Sequence, residues 1–410
     1  MPSKATKEEE AAPTCRKGAM LSDSMQLSSF PFMNSESNFL LGGKSGPDYD
    51  QRVWRHNHQE WLHTKASNSP ARPSARWKGS FCKVHDTKLV LFGGSESAEV
   101  YLNDVWVFYP LLNQWEELRT STLRGREWVI SPRRAHSGVV VNSKHLVVFG
   151  GSRGDSEEPL KDLWTLDLDS NLWTNHKKIR FPLSARKGHT AAVVGNQMFV
   201  FGGRRSDTEY FDDLVALNFA QDTWEPIKWT ILPSKNGPAR RNHHVSIPIL
   251  GDHLLVYGGR GNHDMNGEVM NDVWLYQTSI QAWSQVTRLH LTDGTKSHPK
   301  PRIEAAYGTG RDNQLVMGFG QASSRELLND LWTLDVQLDS STGMAHGTWH
   351  NVHLDNCSVD DSWMLSEKKA KLDHGPEPLT LMLVVMLVLV VILLYRWRPN
   401  RFRSQHYETL

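Results

Sequence analysis

The sequence predicts an all-β fold made of six four-stranded sheets set radially and packed face to face. Three observations predict it: a Gly-Gly pair that closes an apolar strand at intervals of about 51 to 60 residues, a strand after each pair that usually ends in tryptophan, and a second tryptophan that ends each unit. A chain of 410 residues would by length alone be divided into two or three ordinary domains, but a period of this size overrides that prior.

The elements repeat in a constant order. Gly-Gly or a near version stands at Gly42-Gly43, Gly93-Gly94, Gly150-Gly151, Gly202-Gly203, Gly258-Gly259 and, as Gly-Phe-Gly, at Gly318 to Gly320. The following strand reads "QRVW" to Trp54, "NDVW" to Trp106, "KDLW" to Trp164, "DDLV" to Val215, "NDVW" to Trp274 and "NDLW" to Trp332. The closing tryptophans are Trp61, Trp115, Trp173, Trp224, Trp283 and Trp349; the two series take 11 of the 16 tryptophans, so tryptophan is framework first. Each unit carries four short runs rich in Val, Leu, Phe and Trp, such as "HTAAVV", "QMFVFGG", "DLVALN" and "TWEPI". None of the units sustains helical spacing for three turns. One four-stranded sheet cannot bury two apolar faces, whereas sheets packed on their neighbours can. Gly-Gly removes Cβ atoms where backbones approach closely or need positive φ, and the tryptophans fill the space between adjacent sheets.

This succession of a strand-ending Gly-Gly, a following strand and a distal tryptophan resembles the Kelch-repeat family over residues 26–352. The resemblance implies a six-bladed Kelch-type β-propeller with Gly93, Gly94, Gly150, Gly151, Gly202, Gly203, Gly258, Gly259, Trp106, Trp164, Trp274 and Trp332 as structural residues. The terminal units depart from the pattern: the first has Gln51-Arg52 where later units have a pair ending in aspartate, and the sixth carries an insertion from Val336 to Gly347.

The segments outside the repeats have different chemistry. Residues 1–25 are polar, begin with "KATKEEEAAP" after the first residues, and are expected to be a disordered tail. Cys15, Cys82 and Cys357 are dispersed, which suits a reducing compartment and makes neither a disulfide framework nor a zinc knuckle. Residues 353–378 read as a linker. Leu379 to Tyr395 is 17 residues without a charge, at the short end of what crosses a bilayer, and is expected to be a single C-terminal transmembrane helix followed by a short basic tail over 396–410. The arginines at 396, 398, 401 and 403 favour a cytosolic C-terminus. Against that, the sequence shows no signal to translocate a propeller, so a tail anchor with the propeller in the cytosol is the preferred expectation, in the endoplasmic reticulum or outer mitochondrial membrane.

The net charge of +1 conceals a partition. The linkers between units, 62–78, 119–134, 174–187, 228–241 and 286–302, hold 22 Lys/Arg against the acids Glu127 and Asp293, while the loops after each Gly-Gly hold 16 acids and 6 bases. In a four-stranded antiparallel blade these loops share one face. With the first strand innermost, as the Kelch resemblance implies, that face has a basic centre suited to carboxylates, phosphates or acidic peptides. Arg76, Arg134, Arg186, Arg241 and Arg302 stand at the entrances of the first strands and are the candidate partner-binding residues; the alternative is that they pair with neighbouring aspartates and stitch blades together. Three units carry Arg-x-x-His, as Arg133 to His136, Arg186 to His189 and Arg240 to His243. Their alternation across a sheet argues for framework histidines over a metal site, and no metal, cofactor or catalytic residue is expected.

Three function classes follow. The first is a membrane-tethered scaffold whose propeller binds a protein or acidic peptide, with no role for nucleic acid or a small-molecule substrate. The second is substrate recognition for a ubiquitin ligase, although no BTB or F-box pattern precedes the repeats. The third is a Kelch-fold oxidase-like enzyme, for which Cys82 lacks a recognisable tyrosine partner.

Overall fold

The computed structural model describes residues 72–352, apart from short breaks at 86, 123–129, 155–157, 180–181, 221–222, 224, 262–267, 293–297, 311–313, 323–325, 329 and 340. It also describes the backbone of the strands Phe32–Met33, Ser37–Ser45, Asp48–His56, Trp61–Thr64 and Cys357–Asp360. The expected tail over 1–25, the membrane segment and the basic C-terminal tail lie outside the described residues, as does Trp224; of the expected linker over 353–378 only Cys357–Asp360 is described, and it is a strand rather than linker. Among the described residues there is no helix, and therefore none long and apolar enough to cross a membrane.

The strands form antiparallel sheets that succeed one another along the chain. The second sheet is Ser80–His85, Lys88–Ser95, Tyr101–Tyr109 and Gln114–Glu117. The third is built on Ser137–Val141, His145–Phe149, Leu163–Asp167 and Leu172–Asn175, and the fourth on Thr190–Val194, Gln197–Phe201, Leu214–Phe219 and Pro226–Leu232. The fifth uses Val245–Ile249, His253–Gly261, Val269–Gln277 and Ala282–Gln285, and the sixth Ala306–Thr309, Leu315–Gly318, Leu331–Leu338 and Ala345–Val352. The first sheet is the backbone array of the four early strands joined by Cys357–Asp360. First strands of consecutive sheets lie against each other, from the first on the second through to the fifth on the sixth.

The apolar patterning follows from this packing. Second strands are buried on both faces, so "HLVVF" and "QMFVF" read as continuous apolar runs. The first strands of the fourth and sixth sheets, Thr190–Val194 and Ala306–Thr309, alternate between buried and half-buried positions. Each hydrophobic cluster joins two sheets: Val90, Phe92 and Val105 of the second pack with Leu146, Val148, Trp164 and Trp173 of the third. The same pairing recurs between third and fourth, fourth and fifth, and fifth and sixth.

The outer tryptophan of one sheet packs on the aromatic residue that precedes the glycine pair of the sheet before it. Phe92 meets Trp173 with ring centroids 5.3 Å apart, Phe201 meets Trp283 at 5.3 Å, and Tyr257 meets Trp349 at 5.3 Å. In the fourth sheet Trp229 takes this place against Phe149, at 5.2 Å, so a tryptophan five positions beyond Trp224 is the distal one there.

Linkers add fifth strands. Ser121–Thr122, leaving the second sheet, pairs in parallel with the outer strand of the third, and Arg288–Leu291, leaving the fifth, pairs with the outer strand of the sixth. Cys357–Asp360, leaving the sixth, pairs in parallel with Trp61–Thr64 of the first. The chain thus returns to its beginning by the same device that joins its consecutive sheets.

Burial between two sheets makes Trp164, 7 % exposed, a stability probe. Trp164→Ala is expected to cost about 3–5 kcal/mol, the usual loss for a large buried aromatic, measured by denaturant unfolding. An unchanged midpoint would remove this residue from the core.

Candidate functional site

Four of the five candidate arginines are directed into their own sheets. Arg76 makes a bidentate pair with Asp104 at 2.6 and 2.8 Å, and its Nη1 also donates to the Gly93 carbonyl at 3.2 Å. Arg186 pairs with Asp213, Arg241 with Asp272 and Arg302 with Asp330, all at 2.7–2.8 Å, with bonds to the carbonyls of Gly202, Gly258 and Phe319. In the third sheet the same place belongs to Arg133, bound to Asp162 and the Gly150 carbonyl. All five are nearly or fully buried, so Arg76, Arg186, Arg241 and Arg302 do not converge on a common pocket.

Each aspartate stands two residues before the third-strand tryptophan, or before Val215 in the fourth sheet. Asp104, Asp162, Asp272 and Asp330 also accept from the indoles of Trp106, Trp164, Trp274 and Trp332 at 2.6–2.7 Å. Burial alone would raise the carboxyls of Asp162, Asp272 and Asp330. The bonds from arginine and tryptophan outweigh it and hold them below the usual range.

The backbone of each arginine is tied to the preceding sheet. Arg133 N–H donates to Leu102 O, and its own carbonyl accepts from Gly94 N–H at 2.9 Å. Arg186, Arg241 and Arg302 repeat both bonds with Leu160 and Gly151, Phe211 and Gly203, and Met270 and Gly259. The glycine pairs run through left-handed backbone, Gly93 at φ 63° and Gly94 at φ 98°. A Cβ on Gly94 would lie 2.7 Å from the Trp77 carbonyl. In the sixth unit Phe319 and Gly320 occupy this conformation, at φ 58° and 80°, so the pair there is Phe-Gly and Gly318 still belongs to the strand.

The framework histidines are His136, His189 and His244. Their Nε2 atoms bond the hydroxyls of Ser80, Ser137 and Thr190 on the preceding sheet at 3.1, 3.0 and 2.7 Å. Their rings lie edge-on to Phe92, Phe149 and Phe201. No group of residues suited to hold a metal ion occurs among the described residues. His243, the third histidine of the sequence pattern, instead enters the channel mouth.

Two positions beyond each framework arginine stands a residue in left-handed backbone: Lys78, Ala135, Gly188, His243 and Glu304, with φ between 52° and 66°. Their peptides link sheet to sheet. Ala135 N–H donates to Lys78 O, Gly188 to Ala135, His243 to Gly188 and Glu304 to His243, at 2.8–3.0 Å. This inner ring lies at the entrance of the first strands, above a cavity of about 70 Å³ whose lining includes Tyr307 and the framework histidines. A larger space of about 440 Å³ continues along the first strands, bordered by Cys82, Ile247, Pro248 and Tyr307.

Around the inner ring lie the residue after each framework arginine, Trp77, Arg134, Lys187, Asn242 and Ile303, and its bridge partner after the glycine pair, Ser95, Ser152, Arg204, Arg260 and Gln321. The guanidinium of Arg134 stacks 5.0 Å from the Trp77 ring and 4.8 Å from Tyr101. Asn242, with its amide oriented to suit its neighbours, accepts from Arg204 Nε and donates to Arg260 O, both at 3.2 Å. The buried hydroxyls of Ser95 and Ser152 and the Nε of Arg260 have no hydrogen-bond partner among the described residues. Arg134 is thus the one candidate arginine at the mouth, and Lys187, Arg204 and Arg260 are basic residues that the sequence reading passed over. The signal that separates Arg133 from Arg134 is the step to the framework histidine: Arg133, Arg186 and Arg241 each stand three residues before His136, His189 and His244, whereas Arg134 stands two before His136.

The chain matches the KLHDC2/KLHL20/DRC7 Kelch-repeats domain over residues 25–195 and 145–358. It belongs to the Kelch-repeat family. Human Kelch domain-containing protein 3 is 29 % identical over 255 residues, which is 59 % of this chain and 63 % of that protein. The match therefore spans under two thirds of that relative. Kelch domain-containing protein 2 of Bos taurus is 27 % identical over 314 residues, 68 % of this chain and 71 % of the relative. An F-box/kelch-repeat protein of Arabidopsis thaliana is 30 % identical over 220 residues, covering 50 % of this chain and 42 % of its own length. The solved structure of YjhT covers 79 % of this chain and 97 % of its own, with a TM-score of 0.60 and 14 % identity, a likeness of fold alone.

The buried histidines of this Kelch framework set an acid limit. Burial lowers His136 and His243 to about 3 and holds His189 and His244 well below 6.5. Unfolded histidine binds its proton near 6.5, so between that pH and about 3 the unfolded chain holds more protons and stability falls with falling pH. Each histidine contributes about 1.4 kcal/mol per pH unit within the window. Unfolding at pH 5 is expected to take up several protons, and His189→Gln to reduce that uptake by about one. Stability independent of pH from 7 to 5 would contradict these buried neutral rings.

Proposed function

We propose that this chain is a membrane-anchored protein-interaction scaffold: a six-bladed Kelch propeller whose basic channel mouth binds an acidic segment of a protein partner. The observation that carries the reading is the placement of Arg134, Lys187, Arg204 and Arg260 at equivalent mouth positions of the third, fourth and fifth sheets, beside the buried hydroxyls of Ser95 and Ser152, which have no hydrogen-bond partner among the described residues. Buried donors without partners are costly unless a ligand or water meets them, and recessed cations draw anions. Six blades are supported by the return of Cys357–Asp360 to the first sheet, in the relation that Ser121–Thr122 has to the third.

A binding role suits the channel better than catalysis. The Cys82 thiol, pushed by burial to about 12, donates to Gly138 O at 3.2 Å and stays protonated. Tyr307 borders the same cavity and is raised well above the usual phenol range by burial. Recruitment to a ubiquitin ligase is the second reading. It is favoured by the relative whose name joins F-box and Kelch repeats, and cullin co-purification with the full chain separates it from a plain scaffold.

Two experiments test the proposal. A fluorescein-labelled hexaglutamate peptide is expected to bind the full chain and to lose affinity steeply between about 0.1 and 0.5 M NaCl, because the partly exposed charges of Arg204 and Arg260 are screened over about 10 Å or less in this range. Lys187→Gln and Arg204→Gln should each weaken binding about tenfold while melting stays unchanged; Lys235→Gln should leave both as they were. Affinity insensitive to salt and to both mouth substitutions would refute the basic-mouth reading. For the anchor, deletion of residues 379–410 should release a folded, soluble propeller, and protease added to sealed organelles should digest the propeller of the intact chain. A protected propeller would reverse the proposed topology.

A further inference from the structure

The inner ring is uneven. Ala135 and Gly188 bring almost no side chain to the mouth, whereas Lys78, His243 and Glu304 bring long or charged ones. A Cβ on Gly188 would lie 3.1 Å from the His243 ring, so His243 folds over the fourth sheet's bare position. Lys78 Nζ reaches Glu304 Oε1 at 2.9 Å, joining residues from the second and sixth sheets, and His243 Nδ1 lies 3.5 Å from the same oxygen. Only 18 % of the lysine side chain and 10 % of the glutamate is exposed.

Glu304 is the only acid among the fifteen inner-ring and bridge residues of the five described sheets. An anion entering the mouth therefore meets unequal sides. On one stand Arg134, Lys187, Arg204 and Arg260, of which Arg204 pairs with the exposed Asp207 outside the ring. On the other, the lysine is already held by an internal carboxylate. That carboxylate is ionised at neutral pH: burial would raise it, but Lys78, His243 and Arg260 hold it at about 2.

We propose that Glu304 is a specificity-determining residue of the mouth: by holding Lys78 in a buried ion pair, it withholds that cation from an incoming anion and confines recognition to the side of the third, fourth and fifth sheets. The inference rests on the reading of the mouth as a site for acidic segments, and it concerns how that site is tuned. A bound carboxylate sits on the side of Arg134, Lys187 and Arg204 and is repelled by Glu304 if it crosses toward the sixth sheet. The ligand best suited is a segment with its acidic groups close together at one end and neutral residues following, since a second distant acid would face Glu304.

A charge-swap cycle with the same hexaglutamate probe tests the proposal on the full chain. Glu304→Gln keeps the side-chain length, frees Lys78 and removes the repelling carboxylate, so affinity should rise about tenfold with a steeper salt dependence. Lys78→Gln leaves Glu304 without its main partner and should weaken binding by a similar factor. The double variant restores the net charge and should return to within about twofold of the wild type. Should Glu304→Gln fail to fold, the recovery from Lys78→Gln to the double variant carries the same information. Wild-type binding with no change in either single variant, melting intact, overturns the role of Glu304 alone. Absence of binding in every variant overturns the basic mouth and this inference with it.

Discussion

Everything in this fold depends on one clasp, repeated in the five described sheets that carry side chains. An arginine reaches into its own sheet to hold an aspartate of the third strand and the carbonyl that ends the second. In four of these clasps the arginine's own peptide is bonded to the sheet before it. The buried guanidinium is therefore at once an internal brace and an inter-sheet tie. Its aspartate receives a third bond from the following tryptophan indole in four sheets, which satisfies the carboxylate and makes burial of the pair tolerable. The glycine pair exists to let this junction close, since left-handed turns and carbonyls within 3 Å leave no room for Cβ atoms.

The proposed recognition surface lies one residue away from this constant machinery. Next to each clasp arginine is a position free to vary, and it carries Trp77, Arg134, Lys187, Asn242 and Ile303 in turn; the position after each glycine pair varies with it. The rigid backbone bridges that pair these positions fix where their side chains begin, so a recognition surface can change chemistry without loosening the ring. The mouth of this chain has used that freedom to gather cations on adjacent sheets and to set Glu304 against Lys78 on the far side.

Much of the fold was legible because its signals are periodic. Glycine pairs and tryptophans recur at intervals set by the size of a sheet, and that regularity survives changes at single positions. Reading failed by one residue where two similar side chains adjoin. Arg133 and Arg134 are indistinguishable by type, and so are His243 and His244; the three-residue step to His136 marks Arg133, and the distance to the glycine pair, 14 residues as for His136, marks His244. Trp229 was missed because the fourth sheet's outer strand, Pro226–Leu232, begins beyond the tryptophan that matched the pattern. Phe319 was missed because a non-glycine residue in left-handed backbone is rarely anticipated. The basic mouth was inferred from loop charge, but that count pooled the clasp arginines, whose charge is neutralised inside the sheets, with the cations that reach the mouth.

The adjoining arginines of the third sheet separate the two roles most directly. Arg133→Gln removes a fully buried guanidinium from Asp162, and loss of one partner of such a pair costs about 3–5 kcal/mol. Arg134→Gln removes a cation stacked on Trp77 and Tyr101 and leaves the clasp whole. Unfolding and hexaglutamate binding measured together on the two variants should show a large stability loss with Arg133→Gln, and a binding loss at nearly unchanged stability with Arg134→Gln. Equal stability losses, or binding undisturbed by Arg134→Gln, would contradict the division between framework and mouth.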